Sequence, residues 1–200
     1  KPPYIEMPGV GSWHERELQT FMIVDPAASR QSTPGTKEIT KKLASHSVGA
    51  IFSITPESNM LIRKVVRHQK EVPETKHMIS RLLTEYPRCQ FVGMEYTTMS
   101  THLYQILSME GFNMRAFPPK GRDKIARSVS ASNEMESGRV WLPDNPTTWL
   151  QDFEDEIFTW TGDDVETDDQ VDCLSYAAMH KQQYAVSSYR MNSNDLPSII

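Results

Sequence analysis

Two short apolar runs, Phe21-Met22-Ile23-Val24 and Phe91-Val92-Gly93-Met94, each stop at a carboxylate, Asp25 and Glu95. A brief apolar run closed by a turn signal is the pattern of a strand buried on both faces, and Asp25-Pro26 is such a signal. Around these two strands the rest of the pattern falls into place. Val48 to Ile54 and Met60 to His68 have β-type composition and are joined by Thr55-Pro56-Glu57-Ser58-Asn59, which predicts a hairpin. Met78, Ile79, Leu82 and Leu83 recur at helical spacing between Val72-Pro73-Glu74 and Tyr86-Pro87. Leu103, Ile106 and Leu107 give a second helix an apolar face, Gly111 suits its C-terminal cap, and Met114 to Phe117 predicts a fifth strand. The order is βββαβαβ, an α/β fold with a mixed central sheet flanked by helices.

Downstream of Pro118-Pro119 the pattern turns helical. Gly121 to Ser132 is expected as a helix with Lys124 and Arg127 one turn apart, and Gly138-Arg139-Val140-Trp141-Leu142-Pro143 as a short hairpin arm. Trp149, Phe153, Ile157 and Phe158 make Thr147 to Trp160 an amphipathic helix with acids outside. A last helix is expected from about Asp168 to about Lys181, with Val171, Leu174 and Ala178 on one face. Residues 1–17, rich in Pro and Gly, read as an entry linker, residues 18–182 as one domain, and residues 183–200 as a fraying tail. The 200 residues suffice for a single core. The first residue is Lys1, so a piece of a longer chain is expected. No run approaches the roughly 20 apolar residues of a membrane span.

Charge is unevenly distributed. The formal net charge is −5, which disfavours a protein gripping nucleic acid by bulk positive field. Between Arg139 and Lys181 there is no Lys or Arg, while Asp144, Asp152, Glu154, Asp155, Glu156, Asp163, Asp164, Glu166, Asp168, Asp169 and Asp172 crowd the same stretch. Metal ions would relieve that crowding. Asp169 and Asp172 share a helix face, and a helix N-terminus tolerates the negative charge of Asp168 and Asp169. With Asp25 and Glu95 they make a carboxylate constellation of the kind that holds Mg²⁺, a cation that prefers oxygen ligands. Two such ions about 3.5 to 4 Å apart suit phosphodiester hydrolysis. Each acid has a plainer reading, as a turn residue at Asp25 or an N-cap at Asp168 or Asp169, but those readings leave the joint pattern unexplained.

Other chemistries find less support. Cys89 and Cys173 lack the spacing of a metal knuckle or disulfide framework and favour a reducing cytoplasm. No pair among the histidines has zinc-ligand spacing, and His77, His102 and His180 are expected on helix surfaces. A Gly-x-Ser-x-Gly elbow and a Gly-x-x-x-x-Gly-Lys-Ser/Thr loop are both missing from the sequence.

The segments Gly138 to Pro143, Trp149 with Phe153 and Glu156, and Asp168-Asp169-Gln170-Val171-Asp172-Cys173-Leu174-Ser175-Tyr176-Ala177 resemble the C-terminal nuclease domain of viral large terminases, the genome-packaging motors of tailed bacteriophages and herpesviruses. Ile23 to Ala27, Val92 to Glu95 and Asp123 to Arg127 extend the resemblance over most of Phe21 to His180. It implies an RNase H-like endonuclease that cuts concatemeric double-stranded viral DNA with Mg²⁺ or Mn²⁺ held by three acidic positions. Asp25 and Glu95 match the first two. The third falls within the acidic turn, with Asp169 favoured, Asp172 assisting and Asp168 as a cap. The family's usual Asp and Thr on the second strand are replaced by Ser45-His46-Ser47. Implied partners are an ATPase domain preceding Lys1, the portal and the small terminase subunit, with the host cytoplasm as location and no membrane association. Candidate DNA contacts are Lys120, Arg122, Lys124 and Arg127, then Arg139, then Lys37, Lys41 and Lys42. A junction resolvase or transposase-type nuclease on the same fold, and a non-catalytic acidic interaction domain, are the alternatives.

Overall fold

A computed structural model describes residues 4–7, 9–26, 46–69, 72–98, 100–117, 124–144, 147–163 and 166–194, with backbone alone beyond 182. Among the described residues the strands are β1 (Tyr4–Met7), β2 (Gly11–His14), β3 (Gln19–Asp25), β4 (Ser47–Ile54), β5 (Met60–His68), β6 (Val92–Glu95), β7 (Met114–Phe117) and β8 (Val140–Trp141). The helices are α1 (Val72–Glu85), α2 (Thr101–Met109), α3 (Lys124–Glu136), α4 (Leu150–Thr159) and α5 (Asp169–Asn194). Six strands form one mixed sheet in the order β7-β6-β3-β4-β5-β8. Pairing is antiparallel from β3 through β5 and parallel at β3–β6, β6–β7 and β5–β8. No helix among the described residues is long and apolar enough to cross a membrane.

Side chains alternate across a strand, and the sheet is covered on both faces. Met22, Val24, Ile51, Val92 and Met94 pack against Met78, Ile79 and Leu82 of α1 and Leu103 and Leu107 of α2. Phe21, Ile23, Val48, Ala50, Phe52, Ile62 and Val65 point the other way, onto Ala131 of α3, Phe153 of α4 and Cys173, Leu174, Ala177 and Ala178 of α5. Strand β4 is buried along its whole length because it lies at the centre of this sandwich. Gly93 is required where β6 passes β7, since a Cβ there would sit 2.2 Å from the Phe117 ring and 2.8 Å from Ile23. The cross-strand register that matters most runs Asp25 beside Val48 and Val48 beside Arg67. A register shift opposite Ile51 and Phe52 inserts Arg63 as an additional residue in β5. It reverses the alternation there, so that Arg67 faces the α5 side together with Val65.

Five expectations are corrected. Residues 4–7 and 11–14, read as linker, pair as the antiparallel strands β1 and β2, and Trp13 is buried with Leu18 and Leu61 in a small separate core. The apolar period missing from so short a segment is supplied by this long-range packing, and the Trp13 indole donates to Glu57 at 2.8 Å. The stretch around Val140 is not a hairpin arm. It adds an edge strand parallel to β5, Val140 opposite Met60 and Trp141 opposite Leu61. Helix α5 runs on to Asn194, past the predicted stop near Lys181. His180, expected at a helix surface, is 4% exposed and meets Phe21, Phe91 and Phe117 edge-on. The α3 helix is described from Lys124 and continues to Glu136, four residues beyond the expected Ser132.

Candidate active site

Asp25 and Glu95 close neighbouring parallel strands, one step beyond the Val24–Met94 pair. Alternation turns both toward α5, because Ile23 and Gly93 already face that side. The first turn of α5 brings Asp169 and Asp172 over the same strand ends, with Asp168 just before it. The helix is held there by the buried side chains of Val171, Cys173 and Leu174. Burial pushes the Asp25 carboxyl well above the usual carboxylate range, and Asp172, Asp169, Glu95 and Asp168, in decreasing order, push the same way. All the expected acids are therefore within electrostatic reach of Asp25, although they come from three separate stretches of the chain.

Cations from α3 flank the acids on one side. Arg127, 8% exposed, donates through Nη2 to Asp172 Oδ1 at 3.0 Å, and Lys124 pairs with Asp168. Burial raises the Asp172 carboxyl, while Arg127 acts against that rise. For Lys124, burial favours loss of the proton, but its contacts with Asp168 and the nearby Asp172 and Asp25 outweigh it and raise the ammonium above its ordinary value. Glu95 faces Tyr176 one turn further along α5, and burial followed by that carboxylate pushes the phenol far up. Tyr176 in turn stacks on Phe117 at 5.4 Å and lies 5.7 Å from the Arg127 guanidinium.

On the opposite side His46, just before β4, donates its backbone N–H to Asp169 Oδ2 at 3.0 Å, and its Nδ1 lies 3.7 Å from the same oxygen. The sequence had marked Ser45-His46-Ser47 only as a departure from the family pattern. His46 shares the parity of Val48 and Ala50, and that signal alone would have placed it on the α5 face. Of the candidate DNA contacts, Lys124 and Arg139 keep side chains about half exposed, at 45% and 44%, while that of Arg127 is 10% exposed. Arg139 is paired with Glu134 at 2.9 Å, and Glu134 also meets the buried Lys181 of α5. Lys120, Arg122, Lys37, Lys41 and Lys42 lie outside the described residues.

The donors gathered here are all carboxylate oxygens, the ligand type of hard divalent cations, and their mutual repulsion at Asp25 is the field such an ion would relieve. Divalent ions fit this donor set in kind. Among the described residues, no three His, Cys, Asp or Glu side chains stand ready around a single point. Asp168 and Asp172 are turned to Lys124 and Arg127, and Asp169 to the His46 backbone.

A mixed sheet of this strand order, with acids at the ends of two central strands and at the head of a helix packed across them, is the RNase H-like arrangement. Residues 22–181 match the family model described as the terminase RNaseH-like domain, and the chain belongs to that family. Among solved structures it is similar to the large terminase nuclease from thermophilic phage G20c. With bound zinc that structure aligns at 15% identity and a TM-score of 0.56 over 80% of each chain. With bound magnesium it aligns at 15% identity and 0.55 over 82% of each. No curated protein matches the chain by sequence.

Proposed function

We propose that this domain is a metal-dependent endonuclease that hydrolyses phosphodiester bonds of concatemeric double-stranded DNA during viral genome packaging. The observation that carries the reading is the convergence of Asp25, Glu95 and the acidic head of α5 on one face of the sheet, within a domain of terminase kinship. Asp25, Glu95 and Asp169 are the residues that would hold Mg²⁺ or Mn²⁺, with Asp172 assisting. Bound there, two ions would supply a nucleophilic water and neutralise the leaving oxygen.

The remaining roles belong to the chain itself. Arg127 holds the Asp172 carboxylate until a stronger positive charge competes for it. Lys124, half exposed beside Asp168, is suited to meet a DNA phosphate at the rim of the site, and Arg139 is a more distant rim contact. Lys120 and Arg122 extend the same proposal to the segment leading into α3. Asp25 and Glu95 are half-buried where their strands end, and the hydrocarbon behind them lowers the local polarity, which strengthens the charge interactions there. The ATPase domain of a large terminase, the portal and the small subunit are the partners this reading implies, and the host cytoplasm its location.

Purified protein should nick supercoiled plasmid with Mg²⁺ or Mn²⁺ and not with EDTA, and Asp25→Asn should abolish nicking while the far-ultraviolet circular dichroism stays unchanged. Metal-independent nicking, or wild-type cutting by the folded variant, would overturn the assignment.

A further inference from the structure

Glu156 lies on the inner face of α4 and is 8% exposed, and its contacts serve the first turn of α5. One carboxylate oxygen accepts the backbone N–H of Gln170 at 2.7 Å, and the other accepts the Gln170 side-chain amide at 2.7 Å. The first N–H groups of a helix have no partner inside it, and the acceptor ordinarily comes from the residue just before. Here that residue, Asp168, pairs with Lys124, and the acceptor comes from a different helix, 14 residues earlier in the chain. Gln170 adjoins Asp169, so Glu156 fixes the backbone from which the Asp169 carboxylate projects.

The same carboxylate is tied to the sheet. Arg67 Nη1 lies 3.6 Å from Glu156 Oε2, and Arg67 Nη2 lies 3.1 Å from His46 Nδ1. His46 closes the circuit through its backbone N–H to Asp169 Oδ2. Arg67 reaches this face because the additional residue in β5 reverses the strand's alternation, and bulges beside active sites commonly re-aim a side chain in this way. A buried ion pair is a poor source of stability compared with apolar packing, so stability alone gives little reason to bury Glu156 and aim a strand irregularity at it.

We infer that Glu156, acting with Arg67 through Gln170 and His46, is a positioning residue that sets the direction of the Asp169 carboxylate. The inference rests on the metal-dependent reading above. Groups that touch a ligand rather than the ion orient that ligand, and their loss typically lowers metal affinity about 10- to 100-fold.

The test uses the full chain, with Mn²⁺ affinity in the absence of DNA measured by titration calorimetry, melting in EDTA, and nicking as a function of Mn²⁺ concentration. Glu156 touches Gln170 rather than Asp169 itself, so Glu156→Ala should weaken Mn²⁺ binding toward the lower end of the range for such groups, about 10-fold, with nicking recovered as Mn²⁺ is raised in proportion. Glu156→Gln keeps an acceptor for the Gln170 N–H and should fall between Glu156→Ala and wild type. Arg67→Lys, which keeps the charge but cannot bridge two partners, should also be intermediate. A merely structural role would lower the melting temperature and leave the Mn²⁺ affinity of the folded protein unchanged, and that result overturns the inference. Should Glu156→Ala not fold, wild-type affinity in both Glu156→Gln and Arg67→Lys overturns it equally. Wild-type protein that binds no Mn²⁺ would instead overturn the metal-dependent reading and this inference with it, whereas wild-type binding and cutting with unchanged variants overturns the inference alone.

Discussion

The two faces of the central sheet share the same strands and differ at one end. Toward α1 and α2, Met22 and Val24 of β3 and Val92 and Met94 of β6 continue the hydrocarbon core to the strand ends. Toward α5 the same strands begin with Phe21, Ile23 and Gly93 and finish on Asp25 and Glu95, while β5 ends near Arg67 beyond Val65 and His46 immediately precedes β4 and its Val48. The charged layer is thus one residue deep, lies on the α5 face, and is set by strand register, while the α1 face holds the neutral Ser47–Thr75 pair at this end. A slip of one residue would turn those acids into the α1 core, so the same pairing that buries the apolar side chains also aims the charged ones.

Substitutions on the two faces should therefore fail differently. The largest effect is expected from Asp25→Asn, with nicking reduced by more than the roughly hundredfold typical of outer-shell losses. Its stability should move the other way. Because the folded pKa is raised, native protein keeps a proton that the unfolded chain releases, so wild-type stability in EDTA falls as pH rises above the usual carboxylate range. Urea melts from pH 4 to 8 should show that fall in wild type and a shallower one in Asp25→Asn, where Asp172 and Glu156 keep their raised pKa. On the other face, Leu82→Ala empties a fully buried site and should remove about 2 to 5 kcal/mol of stability. Nicking per folded molecule, corrected by the urea curve, should not change.

A smaller loss, about 1 to 3 kcal/mol, is expected from Lys181→Met, which leaves the buried Glu134 with Arg139 as its remaining cation. The smallest concerns His180, whose pKa burial, then Arg115, lowers to about 4. Between the ordinary value near 6.5 and about 4 the unfolded chain takes up a proton that native His180 refuses. Stability should drop as pH falls through that window, and the slope should flatten in His180→Gln. An unaltered slope would place the acid sensitivity elsewhere.

Much of this was legible from periodicity. The runs around Phe21 and Phe91 announced buried strands, and their terminal acids needed only alternation to be placed on a common face. Local signals gave no access to features that depend on distant partners. Trp13 sits among Pro- and Gly-rich neighbours and gains its burial from Leu61, and Val140 and Trp141 become a strand only because β5 offers an open edge. Lys124 and Arg127 looked like a basic surface because their spacing says nothing about Asp168 and Asp172 on another helix. Arg67 was hidden most deeply, since its direction follows from a bulge that no spacing rule exposes.

The packing of α5 across β3 has a bearing on the order in which the molecule comes into being. Cys173 rests against the Ile23 carbonyl from 150 residues further along the chain, and His46 meets Asp169 from 123 residues away. Synthesis adds residues from the N-terminus at roughly 5 to 20 per second, so the first two acids leave the ribosome many seconds before the third. Until α5 emerges and docks, a nascent chain holds the strand acids without the helix that completes their cluster. Chains cut short by early termination would carry Asp25 and Glu95 without the acids of α5.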